Sequence, residues 1–333
     1  MSLDFYIGML SDHRRIDGFR RGLASAVEPG DNVLEVGTGL GTYAFFAAEA
    51  GAGHVWAVDR DPVIHAAAMV SKANGLHDRI TFLRSEVSEI ELPERADLVV
   101  FEDYAIELFN AVTWRLMRDV LEKHGRPGGR VFPGTARLNL GLAAGAEPEA
   151  ILGLGGGGSL TAFGLDWSCI RPYLANAPRQ ASISSDALVG RPFVGPELAL
   201  NSPPTCEQLG LNAEWTLDKD VTVHALVLWF DLLLGAQSWY ENAPGKAHSV
   251  WGQTLLPVFP PLEVPAGGCM QASVRPESLP DGAPGWLSWS AECGAEARRG
   301  HEFAAEPLSL EDLYGDTLSM KAGIGIRPRE SKP

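Results

Sequence analysis

The segment VLEVGTGLGTYAFFAAEAGAGHVWAVDRDP, residues 33–62, decides the fold class of this chain. A hydrophobic strand leads into three glycines, Gly37, Gly39 and Gly41, a helix follows, and a second strand ends at Asp59. Glycine lets the backbone approach a ligand closely, where any Cβ atom would collide. A carboxylate at the tip of the second strand can accept hydrogen bonds from both hydroxyls of a ribose. The segment therefore predicts a site for a cofactor that contains a nucleoside.

The spacing of the glycines narrows the choice of cofactor. Dinucleotide-binding folds favour G-x-G-x-x-G, with the pyrophosphate at the N-terminus of the helix. Here the pattern is G-x-G-x-G, it follows Glu35, and position 42 is Thr instead of a third glycine. This arrangement is usual for S-adenosylmethionine (SAM), which has no phosphate group. The spacing favours SAM, and an NAD-dependent dehydrogenase is the weaker alternative.

Strand-like and helical segments alternate on both sides of this motif through the first 142 residues. The stretches between the strand candidates have the apolar spacing of helices. Strands that alternate with helices imply right-handed crossovers and a mostly parallel sheet. The first half is therefore predicted to be α/β. The strand candidates lie at 32–37, 54–59, 80–84, 96–102 and 129–142.

The sequence changes character after residue 142. A glycine-rich stretch at 153–158 is predicted to be a flexible loop. Beyond it, strand candidates at 221–234, 249–257 and 285–293 are separated by proline and glycine, and helical periodicity is weak. These features predict a β-barrel or β-sandwich domain after the α/β half.

Composition and charge exclude several classes of protein. The chain has 333 residues, of which 27 are basic and 42 acidic, for a net charge of −15. A general nucleic-acid binder needs a basic surface, whereas solubility or attraction of a cationic substrate explains the acidity equally well. The four cysteines form no C-x-x-C pair and predict no metal site. No apolar run reaches the ~18 residues of a membrane span and the N-terminus lacks a signal peptide's pattern, so the expected location is cytoplasmic.

Several separate motifs, in order, resemble one family. The chain is similar to the protein arginine methyltransferases, a branch of the class I SAM-dependent methyltransferases, from about residue 6 to residue 295. The resemblance implies a Rossmann-like SAM domain at 31–142, preceded by N-terminal helices at 1–30 that cover the cofactor. It also implies a β-barrel-like substrate domain at 143–333, with a helical dimerisation arm near 160–190. The motifs are MLSDHRR (9–15), 33–52, 73–93, ADLVVFE (96–102), RPGGRVFPGTARLNL (126–140), FGLDWSCI (163–170), VHALVLWFDL (223–232) and VWGQTLLP (250–257).

The resemblance assigns a set of residues to the cofactor, with S-adenosylhomocysteine (SAH) as the product. Arg15 resembles the arginine that holds the SAM carboxylate, although an exposed helix arginine is the alternative interpretation. Asp59 resembles the ribose carboxylate, with a simple strand-end cap as its alternative. Ser88 stands where the family usually has an acid beside the adenine. The implied cofactor residues are Met9, Arg15, Gly37, Gly39, Gly41, Asp59, Arg60, Glu86, Val87 and Glu102.

Glu102 is the principal candidate for the catalytic residue. It closes a strand of the predicted sheet, at the edge where open α/β sheets bind their ligands. In the family, two glutamates of one loop grip a planar guanidinium, whose N–H pairs suit bidentate carboxylate contacts. Gapless counting places Ala111 where the second glutamate belongs. Asp103 or Glu107 could supply the missing charge, or each could be a solvated loop carboxylate.

A second substrate loop also departs from the family pattern. The family's Thr-His-Trp stretch corresponds to AHSVWGQ (247–253), in which Trp251 is kept and Val250 occupies the histidine position. His248 lies two residues upstream and is either a substrate contact or an exposed loop histidine. Tyr6, Tyr104 and Trp251 complete the expected substrate contacts. The segment 171–181 is either part of the dimerisation arm of a homodimer or a proline-rich surface loop.

These residues together predict SAM-dependent methylation of a nitrogen. The two departures favour a guanidino or amino group of a small molecule, such as free arginine or a specialised metabolite, over an arginine-containing protein. A conventional protein arginine methyltransferase is the runner-up. A small-molecule O-methyltransferase would need a general base, for which Asp103, Glu107 and His248 are the candidates. A non-catalytic SAM-binding protein is the alternative outside the enzymes.

Overall fold

A five-stranded parallel sheet forms the first half of the chain in the computed structural model. The structure describes residues 3–102, 111–154, 160–202, 204–246, 250–278 and 284–302. The strands are β1 (Asn32–Val36), β2 (His54–Asp59), β3 (Ile80–Arg84), β4 (Ala96–Phe101) and β5 (Gly125–Phe132). They lie in the order β3-β2-β1-β4-β5, all parallel. The carboxyl ends of β1 and β4, at the centre of the sheet, are therefore neighbours.

Helices cover this sheet and enclose its apolar strands. They are α1 (Leu3–Met9), α2 (His13–Ala26), α3 (Thr42–Glu49), α4 (Ile64–Ala73) and α5 (Ala111–His124). Helix α3 buries Ala44, Ala47 and Ala48 against the sheet, and these small side chains allow a close approach. The predicted α/β class of this half is confirmed.

The second half is built from antiparallel strands, in agreement with the predicted mixed fold. One sheet has the order β10-β6-β12-β14-β9, with β13 paired to β12. A second has the order β11-β15-β16-β17, and β7 and β8 form a hairpin. The strands are β6 (Thr135–Ala144), β7 (Thr161–Ala162), β8 (Leu165–Asp166), β9 (Arg179–Ala181), β10 (Leu188–Ala199), β11 (Leu211–Thr216), β12 (Val221–Leu233), β13 (Trp239–Glu241), β14 (Gln253–Val264), β15 (Cys269–Ser278), β16 (Pro284–Cys293) and β17 (Glu296–His301).

Helical structure in the second half is short. The helices are α6 (Ala146–Leu152), α7 (Arg171–Leu174) and α8 (Cys206–Leu209), with 3-10 turns at Ser168–Ile170 and Ser185–Ala187. The segment 160–190, predicted to be a helical arm, is mostly not helical: it holds the β7–β8 hairpin, both 3-10 turns, the four-residue α7, β9 and the start of β10. Most of the glycine-rich stretch at 153–158 lies outside the described residues.

The single strand predicted at 129–142 is wrong. The chain leaves the parallel sheet at Phe132 and enters the antiparallel sheet at Thr135, so two strands in two sheets replace one. Pro133 and Gly134 form the link, and Pro133 cannot donate a ladder hydrogen bond. A continuous β-rich composition hides such a change of sheet, because strand propensity says nothing about the partner strand.

Helix α2 packs between the two halves through two glycines. A Cβ atom at Gly18 would stand 2.8 Å from Leu234 Cδ1, at the end of the β12 segment. A Cβ atom at Gly22 would stand 2.2 Å from the carbonyl oxygen of Leu234 and 2.5 Å from Phe132 Cζ. Phe19, on the same helix, stacks on Tyr43 at 4.5 Å between ring centroids. The helix therefore belongs to the core of both halves.

Among the helices of the described residues, none has the length and apolar character that a membrane crossing requires.

Candidate active site

The glycine turn follows β1 at the carboxyl edge of the parallel sheet, where the predicted site residues gather. Gly37, Gly39 and Gly41 all have positive φ, at 75°, 52° and 81°. A Cβ atom at Gly39 would stand 3.1 Å from the ring of Tyr6, so α1 lies directly over the turn. At Gly41, a Cβ atom would stand 3.0 Å from Phe45. Gly37 is exposed, whereas Gly39 and Gly41 are buried against side chains of the protein, so the turn is tightly packed and its role in cofactor binding stays a prediction.

Asp59 ends β2 beside this turn. Its Oδ2 atom accepts a hydrogen bond from Gly39 N at 2.8 Å, and its Oδ1 atom accepts one from Asp61 N at 2.8 Å. These two bonds orient the carboxylate, and each oxygen keeps a further lone pair for a hydroxyl group. The arrangement suits a ribose and also satisfies the alternative role of Asp59 as a local cap.

Glu35 is buried beneath the glycine turn. Its carboxyl oxygen Oε2 accepts a hydrogen bond from the Thr38 hydroxyl at 2.5 Å. Burial raises the pKa of Glu35 to about 8, although the hydrogen bonds from Thr38 and from the backbone of Ala44 oppose this rise. Sequence reasoning used Glu35 only as a marker of the motif. Its position indicates that it supports the turn from below.

Arg15 lies in the first turn of α2 and is only 2% exposed, so the exposed-arginine interpretation is wrong. Its guanidinium pairs with the Glu102 carboxylate, and Nη2 donates to the carbonyl oxygen of Met9 at 2.8 Å. Burial acts to lower the pKa of Arg15, but the adjacent Glu102 carboxylate contributes to a net rise. Within the described residues, the buried Nε atom has no hydrogen-bond acceptor. That Nε atom lies 3.8 Å from Asp12 Oδ2, so the buried guanidinium stands between two carboxylates, Asp12 and Glu102.

Glu102 follows the last residue of β4, the strand that pairs with β1. Its Oε1 atom accepts from Arg15 and also from the hydroxyl of Tyr43, at 3.3 Å. Burial, together with the Glu102 charge, raises the pKa of Tyr43 well above its usual value, so the phenol stays neutral and donates. Tyr43 is not among the predicted site residues, although its place in the first turn after the glycines was a usable signal. Two donors on one oxygen fix the orientation of the Glu102 carboxylate.

The antiparallel half contributes an aromatic wall to the same cleft. The indole of Trp251 lies 5.4 Å from the guanidinium carbon of Arg15 and packs edge-on against Phe230 and Tyr240, at 5.2 and 5.5 Å. Asp12, which caps α2, accepts from the Tyr240 hydroxyl at 3.0 Å. The structure thus brings Trp251 beside Arg15, although the two are distant in sequence.

The predicted adenine side of the site lies in the turn after β3. Glu86 accepts from Arg60 at 3.4 Å, and both side chains are more than half exposed, so this ion pair contributes little stability. Val87 is buried, and its carbonyl oxygen lies 2.9 Å from His124 Nε2. These contacts position the turn, but they leave the assignment of an adenine contact as a prediction.

Several predicted site residues lie outside the described residues. They are Asp103, Tyr104, Glu107 and His248. Ala111, at the position of the family's second glutamate, begins α5. In the part of the chain that is described, no three His, Cys, Asp or Glu side chains cluster closely enough to hold a metal ion.

The sequence matches known methyltransferases. Residues 33–129 match the model of a family described as a methyltransferase domain. Protein arginine N-methyltransferase 1 of Schizosaccharomyces pombe is 28% identical over 250 residues, which cover 73% of this chain and 72% of that protein. The probable histone-arginine methyltransferase CARM1 of Oryza sativa subsp. indica is 30% identical over 258 residues, or 71% of this chain. The chain covers 47% of that rice protein, about half its length.

Solved structures share the fold over nearly the whole chain. The PRMT1 enzyme-prozyme heterotetrameric complex of Trypanosoma brucei with AdoHcy matches with a TM-score of 0.75 at 23% identity, covering 89% of this chain and 97% of that one. Protein arginine methyltransferase 10 of Arabidopsis thaliana matches with a TM-score of 0.68 at 19% identity, covering 90% and 98%. These structures show the shared fold, and the methyltransferase-domain match together with the curated relatives shows that the chain is a SAM-dependent methyltransferase similar to the protein arginine methyltransferases.

Proposed function

We propose that this protein transfers a methyl group from SAM to a guanidino or amino nitrogen of a small molecule. The observation that carries the proposal is the buried Arg15–Glu102 pair, placed between the glycine turn and Trp251. The pair combines a cation for the cofactor's carboxylate with a carboxylate for a cationic acceptor. Both charges are held at the edge of the sheet where α/β proteins bind ligands.

The residues of the cleft fit SAM. The glycine turn has the positive φ angles that its spacing predicted, its Gly37 is exposed, and the Arg15 guanidinium suits the cofactor's carboxylate. Asp59 suits the ribose hydroxyls. When bound, SAM supplies a methyl group on a positively charged sulfur.

Glu102 is the proposed catalytic residue. Its carboxylate orients the acceptor nitrogen and offsets the positive charge that develops on the acceptor as the nitrogen attacks. Such preorganised electrostatic stabilisation needs no covalent intermediate. Arg15 and Tyr43 hold Glu102 in place through Oε1, so the carboxylate is oriented before substrate enters.

The small-molecule substrate is supported by two departures in the sequence. Ala111 replaces the second glutamate of the family's loop, and Val250 replaces the histidine of its Thr-His-Trp stretch. A buried cation that pairs with one carboxylate instead of two loses roughly several kcal/mol of favourable interaction. A second candidate, methylation of arginine in proteins, is favoured by the curated relatives, which are named protein arginine or histone-arginine methyltransferases.

We also propose that the protein forms a homodimer through the β7–β8 hairpin. Phe163 is 99% exposed at the tip of the hairpin, and Leu165 and Trp167 are exposed beside it. Contiguous exposed apolar side chains are typical of an interaction surface. Phe163→Asp should convert the dimer to a monomer in analytical ultracentrifugation. A monomeric wild-type protein would refute the assignment.

Methyl transfer from isotopically labelled SAM tests the function directly. The acceptors are free arginine, other guanidines and amines, and arginine-rich peptides. Labelling of a small molecule supports the first proposal, and labelling of peptides alone supports the second candidate. Glu102→Gln should lower turnover by about 10²- to 10³-fold while SAM still binds. The exposed Glu197→Gln is the matched control, and a protein that binds SAM but labels no acceptor would favour the non-catalytic alternative.

A further inference from the structure

Asp12 is buried at the junction of the two halves and receives donors from both. Its Oδ1 atom accepts from Arg15 N at 3.1 Å, which caps the N-terminus of α2. Its Oδ2 atom accepts from the Tyr240 hydroxyl at 3.0 Å and lies 3.4 Å from Val250 N. One carboxylate therefore joins α2 to β13 and to the loop that carries Trp251.

The backbone nitrogen of Val250 lies beside the Asp12 carboxylate, so the side chain at position 250 is attached close to it. In the related family this position carries histidine, which has a side-chain N–H to donate; here it is valine, which has none. A buried carboxylate oxygen that lacks a donor is strongly destabilising. The Val250 N–H and Arg15 Nε face Oδ2 only at 3.4 and 3.8 Å, and Tyr240, in β13, supplies the short hydrogen bond to this oxygen.

We infer that Tyr240 is a positioning residue of the cofactor site, which acts through Asp12 on Arg15 in place of a histidine at position 250. This inference rests on the proposed binding of SAM in the cleft. Tyr240 holds Asp12, Asp12 fixes the first turn of α2, and that turn carries the Arg15 guanidinium to Glu102 and to the cofactor's carboxylate.

A second contact reinforces this path. The ring of Tyr240 packs against Trp251 at 5.5 Å, and Trp251 lies 5.4 Å from the guanidinium carbon of Arg15. Tyr240 is thus connected to Arg15 in two ways: its hydroxyl bonds Asp12, and its ring packs on Trp251. Tyr240→Phe keeps the ring and removes only the polar path.

The path makes a prediction that depends on the ligand. SAH carries the carboxylate that Arg15 would hold, whereas 5′-methylthioadenosine has the same nucleoside and lacks that carboxylate. If Tyr240 acts through Arg15, Tyr240→Phe weakens binding of SAH by about tenfold and leaves binding of 5′-methylthioadenosine unchanged. A general loosening of the fold would weaken both ligands equally.

Isothermal titration calorimetry of the full chain with these two ligands tests the inference. Thr222→Val, which removes a hydroxyl bonded to Glu263 elsewhere in the second half, is the control and should bind both ligands as wild type does. Equal affinity of Tyr240→Phe and wild type for SAH, or equal weakening of both ligands, would overturn the role of Tyr240. A wild-type protein that binds neither ligand would instead refute the proposed function.

A double-mutant cycle tests whether Asp12 is the link. Asp12→Ser keeps a side-chain oxygen that can cap α2 but is too short to reach Tyr240 as well. Adding Tyr240→Phe to Asp12→Ser should cause no further loss of SAH affinity. Losses that add in the double variant would show that Tyr240 acts by another route.

Discussion

The two halves of the molecule build their share of the cleft in different ways. The parallel half takes its glycine turn, Asp59 and the buried Glu35 from one continuous segment, residues 33–62. The antiparallel half positions Trp251 through residues that are scattered over more than a hundred positions. The comparison shows why a ligand turn is readable from local sequence, whereas a wall made by pairing distant strands is not.

A polar network in the antiparallel half holds the loop that carries Trp251. Buried Asp231 accepts from Arg137 Nε at 2.9 Å, from Asn139 Nδ2 at 3.0 Å and from Asn242 N at 3.0 Å. The Asn242 side chain donates to the Gly252 carbonyl oxygen at 2.6 Å. Burial raises the pKa of Asp231, although Arg137 opposes the rise. The loop is thus anchored to the middle of the sheet.

The largest expected effect comes from breaking this network. Asp231→Ala leaves the Arg137 guanidinium and the Asn242 amide without their acceptor, and losing one partner of a buried pair costs about 3–5 kcal/mol. Urea denaturation should show this loss of unfolding free energy. The exposed Glu263→Ala is the control. A similar loss of unfolding free energy in that variant would show that Asp231 stabilises the protein no more than a surface carboxylate does.

In the parallel half, the corresponding change is at Arg15 and should affect the binding of SAM instead of stability. Arg15→Met should weaken SAM by about a hundredfold, equivalent to about 2.7 kcal/mol, because a charge-assisted contact to a carboxylate is removed. Equilibrium binding of SAM measures the effect, with the exposed Arg20→Met as control. Unchanged affinity would show that Arg15 serves only to balance Glu102.

Glu35 should make the stability of the parallel half depend on pH. Its folded pKa of about 8 exceeds the ordinary value of 4.5, so the folded state holds a proton that the unfolded chain releases. Stability should therefore fall as pH rises from 4.5 towards 8, by at most about 1.4 kcal/mol per pH unit. Glu35→Gln, with thermal unfolding followed from pH 5 to 8, should flatten this slope. An identical slope in the variant would exclude Glu35 as its source.

The smallest expected effect is the difference in stability between alanine variants of two glycines, which distinguishes steric crowding from backbone strain. Gly41 has φ +81° and would place a Cβ atom 3.0–3.2 Å from Phe45, Ala67 and Phe82, whereas Gly75 has φ +70° and open space. Each change to alanine costs about 1 kcal/mol for the left-handed backbone. Gly41→Ala should cost more than Gly75→Ala in chemical denaturation. Equal costs would mean that the turn accommodates a methyl group.

The sequence predicts the fold class and the cofactor turn because both depend on local patterns. Strands β1 to β4 follow from apolar runs, and Gly37, Gly39, Gly41 and Asp59 follow from spacing. The break between β5 and β6 is missed, because propensity does not reveal that Phe132 and Thr135 join different sheets. Tyr43, Asp12 and Tyr240 are missed as well, since their roles depend on which side chains meet across the cleft.

Substitutions at Gly18 and Gly22 are expected to affect activity, although both residues lack a side chain. Neither residue bears a functional group, yet a methyl group at either position would collide with the wall of the antiparallel half. Helix α2, which carries Arg15, can therefore approach Leu234 this closely only because both positions lack a Cβ atom. In a screen of random mutants, changes at these glycines should group with losses of activity, although they lie behind the cleft and present no chemistry to it.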